Sequence, residues 1–344
     1  MKQKALVLCD AEVDYAQQMA GFLERDHDFP WEIIVCTGIG ELEQVFRNKA
    51  VEILVVAESL IHDELPRYPT KQLVLLNESG RIRFTEVKNI DKYQAADNIR
   101  NALLRLCAEQ KEFAYPVLER GKSAECIAFY SPIRRCLQTS IAITFSQLLA
   151  EKYRVLYLNF ECFSQFAMVP EEGESMDMTC LLYYIDAGEE EFALRLRAMR
   201  KSIGNWEYIM PMCNGENLAG TEAEDWLRLV GRCRAMETYD FVVLDLNDSM
   251  QGLFEILRQC DGIYTIVKND SAARKKLDRY EYVLGKKKYE DILQRTVRLQ
   301  PPVFCRLPEG LEDYSRGELA DYVRRNMILE DGNGIYGVEE EAAE

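Results

Sequence analysis

Short, near-continuous apolar runs alternate along this chain with segments whose apolar residues recur at helical spacing, and that alternation leaves few folds open. ALVLC (5–9), WEIIVC (31–36), EILVVA (52–57) and KQLVLLN (71–77) have strand length, while Tyr15–Arg25, Gly40–Arg47 and Tyr93–Ala108 carry the helical pattern. Apolar runs without polar alternation suit strands covered on both faces. Strand then helix, repeated, predicts a parallel sheet wrapped by helices. The pattern stops in a charged connector, AEQKEFAYPVLERGKSAE, where Pro116 and Gly121 interrupt any helix. It resumes with CIAFY (126–130), a helix from about Thr139 to Lys152, RVLYLNF (154–160), YIM (208–210), YDFVVLDLND (239–248) and GIYTIVKND (262–270). The 344 residues exceed one domain, at about 150 residues per domain. Two doubly wound α/β parallel-sheet domains are therefore expected, at 1–108 and 123–330, with a linker at 109–122 and an acidic tail at 331–344.

Charge and rare residues narrow the function. Lys and Arg number 42 against 58 Asp and Glu, a net charge of −16. Such a field repels nucleic acid and anionic lipid, so neither is an expected partner. The 11 cysteines are odd in number and contain no C-x-x-C pair, which predicts reduced thiols and no metal site. The two histidines, His27 and His62, fall in the first domain, so no His-dependent triad or zinc site is expected in the second. The start, MKQKALVLCDAEVD, is too short in apolar residues for a signal sequence, and no run of about 18 apolar residues follows. A cytoplasmic protein is expected. The end, EDGNGIYGVEEEAAE, with Gly332, Gly334 and Gly337, lacks the basic amphipathic helix of a membrane anchor.

The first domain resembles the receiver domain of response regulators in size, element order and the acidic turn after its first strand. Receivers carry a phospho-accepting Asp at the end of the third strand, where such sheets hold ligands. Here that position is Ala57. Glu58 follows it, but strand alternation directs it to the other face. Asp10 matches one receiver acid, Cys9 stands where a second is common, and either Lys88 or Lys92 matches the receiver lysine. The resemblance implies a pseudo-receiver.

In the second domain, IAFYSP, then TSIAITFSQLLAEKYRVLYLNFE, YDFVVLDLND and CDGIYTIVKND follow one another in the order and spacing of the MinD and ParA group of deviant P-loop ATPases. Joined to a pseudo-receiver, and ending in VRLQPPVFCRLPEGLEDYSRGELADYVRR, the chain is similar to the CpaE and TadZ proteins of type IV (Tad/Flp) pilus assembly systems. The family's phosphate loop is K-G-G-x-G-K-[ST], whose backbone N–H groups curl around phosphates at a helix N-terminus. The aligned loop here runs Ile133, Arg134, Arg135, Cys136, Leu137, Gln138, Thr139. Both lysines and all three glycines are gone. β-Carbons at former glycine positions penalise positive φ by about 1 kcal/mol or more each and obstruct close backbone approach.

The degenerate nucleotide site implied by the resemblance comprises Arg134, Arg135, Gln138, Thr139, Ser140 and Asp245. Thr139 keeps a hydroxyl at the Mg²⁺-ligand position, but a Thr at a helix start is more often a capping or first-turn residue. Asp245 matches the Walker B aspartate; metal holding, capping and pairing with a loop arginine all remain open for it. Asn159 and Glu161 stand where the family has an acidic pair that positions water, and an amide accepts no proton. Arg134 and Arg135 could hold an anion bidentately, but two solvated loop arginines are expected. Cys136, beside two arginines and a helix start, has a setting that lowers a thiol pKa, though a filler role is expected. The runs RKK (274–276) and KKK (286–288) are expected to be solvated helix faces.

No catalytic residues are expected. The reading favoured by these losses is a non-hydrolysing scaffold or localisation protein of pilus assembly, acting through protein partners and, by resemblance, as a homodimer. The alternative is a low-turnover ATP-dependent switch with a remodelled phosphate site, in which ATP and Mg²⁺ bind weakly. A first test follows from Ala57: acetyl phosphate or beryllofluoride should leave the amide NMR spectrum of the first domain unchanged, and saturable shifts around Asp10 would refute the pseudo-receiver reading.

Overall fold

The computed structural model describes residues 4–25, 29, 31–61, 68–108, 123–161, 176–212, 214–236 and 238–328. The linker expected at 109–122, the tail at 331–344 and both histidines lie outside the described residues. The chain divides into two compact units, Met1–Pro116 and Val117–Glu344.

Unit 1 contains β1 (Lys4–Cys9), α1 (Val13–Arg25), β2 (Glu32–Cys36), α2 (Ile39–Asn48), β3 (Ala50–Ala57), β4 (Gln72–Asn77), β5 (Lys88–Asp91) and α3 (Ala96–Ala108). Its strands are all parallel, in the order β2-β1-β3-β4-β5, which is the flavodoxin-like order of doubly wound sheets. β3 is buried from Val51 to Ala57, as its unbroken apolar run requires. Val7, Cys9, Leu54, Val56 and Leu75 pack with Leu42 of α2 on one face. Their alternating neighbours Leu6, Leu8, Ile53 and Val55 are buried as well, so both faces are covered. The strand β5 (KNID) has a single apolar residue, Ile90, and no sequence pattern announces it.

Unit 2 contains β6 (Glu125–Phe129), α4 (Gln138–Leu149), β7 (Val155–Asn159), α5 (Met178–Tyr183), α6 (Glu189–Met199), β8 (Lys201–Ile203), β9 (Trp206–Ile209), α7 (Gly215–Gly220), α8 (Ala223–Ala235), β10 (Phe241–Asp245), α9 (Leu253–Gln259), β11 (Gly262–Ile266), α10 (Ser271–Lys286), α11 (Glu290–Gln294), β12 (Thr296–Leu299) and α12 (Gly317–Met327). Its sheet runs β12-β11-β6-β10-β7-β9-β8. The expected parallel sheet is corrected at one edge, where β8 pairs antiparallel with β9. Gly204, at φ 61, makes the two-residue turn between them, a conformation that glycine adopts without a β-carbon penalty.

Alternation divides the buried strands of unit 2 between two cores. Cys126, Ala128, Leu156, Leu158, Val242 and Leu244 face one core, with Trp226 and Leu229 of α8. Ile127, Phe129, Val155, Tyr157, Phe241 and Val243 face the other, with α4 and α12. Trp226 is wholly buried and meets Phe160 edge-on at 5.3 Å. Its indole N–H finds no hydrogen-bond partner among the described residues. Replacing Trp226 with Ala should cost about 3–5 kcal/mol of unfolding free energy. Trp226→Phe should cost less than half as much, because it also removes an unpaired buried donor that costs about 1–3 kcal/mol. Urea unfolding of the full chain measures both, and equal damage from the two changes would contradict the unpaired N–H.

Candidate functional site

The ends of the three central strands of unit 2 lie level, with Asp245 opposite Phe129 on one side and Asn159 on the other. Open α/β sheets hold ligands at this edge. After β6 the chain runs through residues 130–137 and enters α4 at Gln138, with Leu137 at its N-cap in the left-handed region. Arg134, Arg135 and Leu137 have φ of 60, 47 and 68. They occupy the three positions at which the resembled family has glycine. The loop therefore keeps a left-handed winding that its β-carbons oppose, which corrects the sequence argument against it. Left-handed backbone at three non-glycine residues costs about 3–6 kcal/mol in all, so other contacts must hold the loop.

Gln138 supplies four of them. Its Nε2 donates to Asp245 Oδ1 at 2.6 Å, Leu246 O at 3.0 Å and Phe129 O at 3.2 Å. Its Oε1 accepts the Ser131 backbone N–H at 2.6 Å. One carboxamide thus joins the start of the loop, the end of β6 and the end of β10. Further ties come from outside the loop. Ser131 Oγ donates to Ile266 O at 2.6 Å, Lys276 Nζ donates to Ile133 O at 2.9 Å, and Lys268 Nζ donates to Arg135 O. Arg134 pairs with Asp248, so the arginine pairing left open for Asp245 is made by Asp248 instead. Arg135 is exposed and lines the cleft.

Asp245 is buried and fully engaged, with Gln138 on Oδ1 and the Tyr157 hydroxyl on Oδ2 at 3.0 Å. Burial pushes its carboxyl up to about 6, against hydrogen bonds from Gln138, Thr139 and Tyr157 that pull it down. Asn159 Oδ1 accepts the Glu161 backbone N–H at 2.7 Å, a local capping contact. Thr139 Oγ1 donates to Glu161 Oε2 at 3.4 Å. Ser140 sits in the first turn of α4, and its carbonyl accepts from Thr144 Oγ1 at 2.8 Å. The cleft over these residues has a volume of about 700 Å³. Its side chains carry both signs, with Arg134, Arg135 and Lys276 facing Glu161, Asp245 and Asp248.

This residue set does not fit a triphosphate with Mg²⁺. Gln138 stands where the family has a lysine and carries no charge, Gln138 and Tyr157 take both oxygens of the candidate metal-holding acid, and the two lysines at the loop serve its carbonyls from outside. One expectation needs correction: Lys276, read as part of a solvated helix face, reaches the loop. The Cys136 thiol is buried and pushed up, chiefly by that burial, which agrees with the filler role expected for it. In the other basic run, Lys287 lies over the Phe254 ring at 5.4 Å. Sequence reading missed Tyr157, Asp248 and Lys268. Asp248 stood three residues past Asp245 in a quoted segment, whereas nothing in a strand-buried tyrosine announces its partner.

In unit 1, Ala57 is the last residue of β3 and wholly buried. Of the two candidate lysines it is Lys92 that meets Asp10, Nζ to Oδ2 at 2.9 Å. Burial pushes the Cys9 thiol up to about 12, with Cys36, Glu41 and Asp10 adding to it. Glu58 Oε2 accepts the backbone N–H groups of Glu78 and Ser79, both at 3.1 Å, and so braces the turn after β4.

No protein-family model matches the sequence, and no curated protein matches it. Solved structures similar to the chain include a ParA family ATPase from Chlorobium tepidum TLS, at 13% identity over 52% of this chain and 86% of that one, with a TM-score of 0.41. An ATP complex of McdA from Cyanothece is 14% identical over 52% and 71%, with a TM-score of 0.41. The MinC:MinD cell division complex of Aquifex aeolicus is 14% identical over 51% and 67%, with a TM-score of 0.38. At such identities and scores nothing functional is read from these likenesses. Among the described residues no helix is long and apolar enough to cross a membrane.

The raised Asp245 carboxyl sets a pH dependence. A carboxyl at about 6 in the folded chain, against about 3.9 unfolded, opposes folding by up to about 3 kcal/mol above pH 6, and the cost disappears as pH falls toward 4. Asp245→Asn should therefore be more stable than wild type by about 1–3 kcal/mol at pH 7.5, with the gain fading near pH 4. Denaturant unfolding across pH 4–8 tests this, and a gain independent of pH would refute it.

Proposed function

We propose that this chain is a non-hydrolysing member of the MinD and ParA group, of the CpaE and TadZ type, that acts as a cytoplasmic scaffold or localisation protein in type IV pilus assembly. The observation that supports the non-hydrolysing part is the Gln138 carboxamide, which is uncharged where the family has a lysine and ties up the one family acid retained, Asp245. Phosphoryl transfer relies on positioning and charge neutralisation, and loss of one such cation can cost about a thousandfold. Here both lysines of the loop are replaced, by Ile133 and Gln138. The pilus association, the protein partners and the homodimer rest on the sequence resemblance. With Ile133 in place of the lysine that crosses the family's dimer, self-association would proceed without nucleotide.

The ATP-dependent switch stands as a second reading because the loop retains its left-handed winding at Arg134, Arg135 and Leu137 and because Thr139 reaches Glu161. One set of measurements separates the two. With Mg²⁺ and ATP, the protein should release no phosphate above background, and light scattering should give a mass that does not respond to nucleotide. Turnover that disappears in Asp245→Ala, or a nucleotide-driven change from monomer to dimer, would overturn the scaffold reading in favour of the switch. Calorimetric binding without turnover, lost in Arg134→Ala, would leave it standing and mark the loop as an anion site.

A further inference from the structure

The C-terminal edge of the unit 1 sheet carries a second arrangement that the reading above does not use. Asp10 follows β1, Glu12 begins the turn into α1, Glu78 follows β4 and Lys92 follows β5. One carboxylate oxygen from each acid lies within 4.8 Å of the others. Three carboxylates at that spacing repel one another strongly unless a cation sits among them. The cation is present and is part of the chain. Lys92 Nζ lies 2.9 Å from Asp10 Oδ2, 2.8 Å from Glu12 Oε1 and 2.6 Å from Glu78 Oε1, so each of its three N–H donors has a carboxylate of its own.

The cluster is built rather than incidental. The side chains of Lys92 and Asp10 are 0% exposed and that of Glu78 17%, while Glu12 closes the solvent side at 60%. The Lys92 ammonium also faces the Tyr15 ring at 4.8 Å. Glu78 is held from behind by the Ser59 backbone N–H at 3.2 Å, and Asp10 Oδ1 caps the Glu12 backbone N–H at 2.9 Å. Lys92 N donates to Asn77 O at 2.9 Å, which fixes where its side chain starts. Three carboxylates around Nζ favour the charged ammonium over the neutral amine.

We infer that Lys92 is the resident cation of an oxygen cage that would otherwise take a divalent ion, so that this edge of unit 1 is set permanently and is indifferent to Mg²⁺, Mn²⁺ or Ca²⁺. Hard divalent cations are bound by carboxylate oxygens of this kind. A tethered ammonium occupies the same space at high effective concentration, because it loses no translational freedom when it binds.

The inference is tested on the full chain by Mn²⁺ titration followed by electron paramagnetic resonance. Wild type should show no saturable Mn²⁺ binding that depends on Asp10. Lys92→Met, which keeps the bulk and removes the charge, should gain one Mn²⁺ site at least tenfold tighter than any in wild type, and Glu78→Gln added to it should abolish that site. If Lys92→Met loses its fold without metal, Mn²⁺ or Ca²⁺ should restore the circular dichroism of wild type. Mn²⁺ binding to wild type that is lost in Asp10→Asn would overturn the inference. So would a folded Lys92→Met chain that binds Mn²⁺ no better than wild type, or one that stays unfolded at saturating metal.

Discussion

The Gln138 carboxamide ties the loop after β6 to the two paired strands, β6 and β10, whose ends lie beside it. It reaches the end of β6, the start of the loop and the end of β10 through four hydrogen bonds. Nε2 has two N–H groups for three acceptors, so two of them share a proton, and the set is worth about 2–4 kcal/mol net. That is of the same order as the cost of left-handed backbone at three residues that carry β-carbons. The winding of the loop and the engagement of Asp245 meet at this one side chain, beside the ties from Ser131, Lys268, Lys276 and Tyr157. A methyl at residue 138 would leave both the Ser131 N–H and Asp245 Oδ1 without this partner, whereas an ammonium could still donate to Asp245 but offers no acceptor to the Ser131 N–H.

Both units solve the same problem in related ways. The ends of parallel strands converge on an edge rich in unpaired backbone and polar side chains, and that edge attracts ligands. In unit 1 a lysine of the chain sits among the acids of that edge. In unit 2 a glutamine of the chain sits within the turn of that edge. The internal groups are matched to what surrounds them, a cation among carboxylates and an amide between a backbone donor and a carboxylate. Each gives buried polar atoms of its edge partners from within the chain.

Much of the fold was legible in the sequence because strands covered on both faces leave unbroken apolar runs. EILVVA and YDFVVLDLND became β3 and β10 for that reason. β5 and β8 were not legible, since KNID contains one apolar residue and KSI has only three residues. In the site, the residues were legible but their relations were not. Gln138 was read as a lost lysine, and the penalty at positions 134, 135 and 137 was weighed residue by residue. Neither could reveal that the lost lysine's replacement is the group that offsets the penalty. Lys276 was misjudged for a similar reason: charge runs along α10 describe a helix surface, whereas its contact with Ile133 O depends on where the loop lies.

The placement of the two tryptophans in unit 2 has a practical consequence. Trp206 belongs to the core beneath α4, 5.5 Å from the Tyr157 ring whose hydroxyl holds Asp245. Trp226 belongs to the core on the opposite side of the same sheet. Emission from Trp206 is thus sensitive to the protonation and hydrogen bonding of the site, while Trp226 provides a reference that shares the sheet but not the site. With Trp31 replaced by Phe, unit 2 would carry its own optical gauge of the site, read through two tilted aromatic rings.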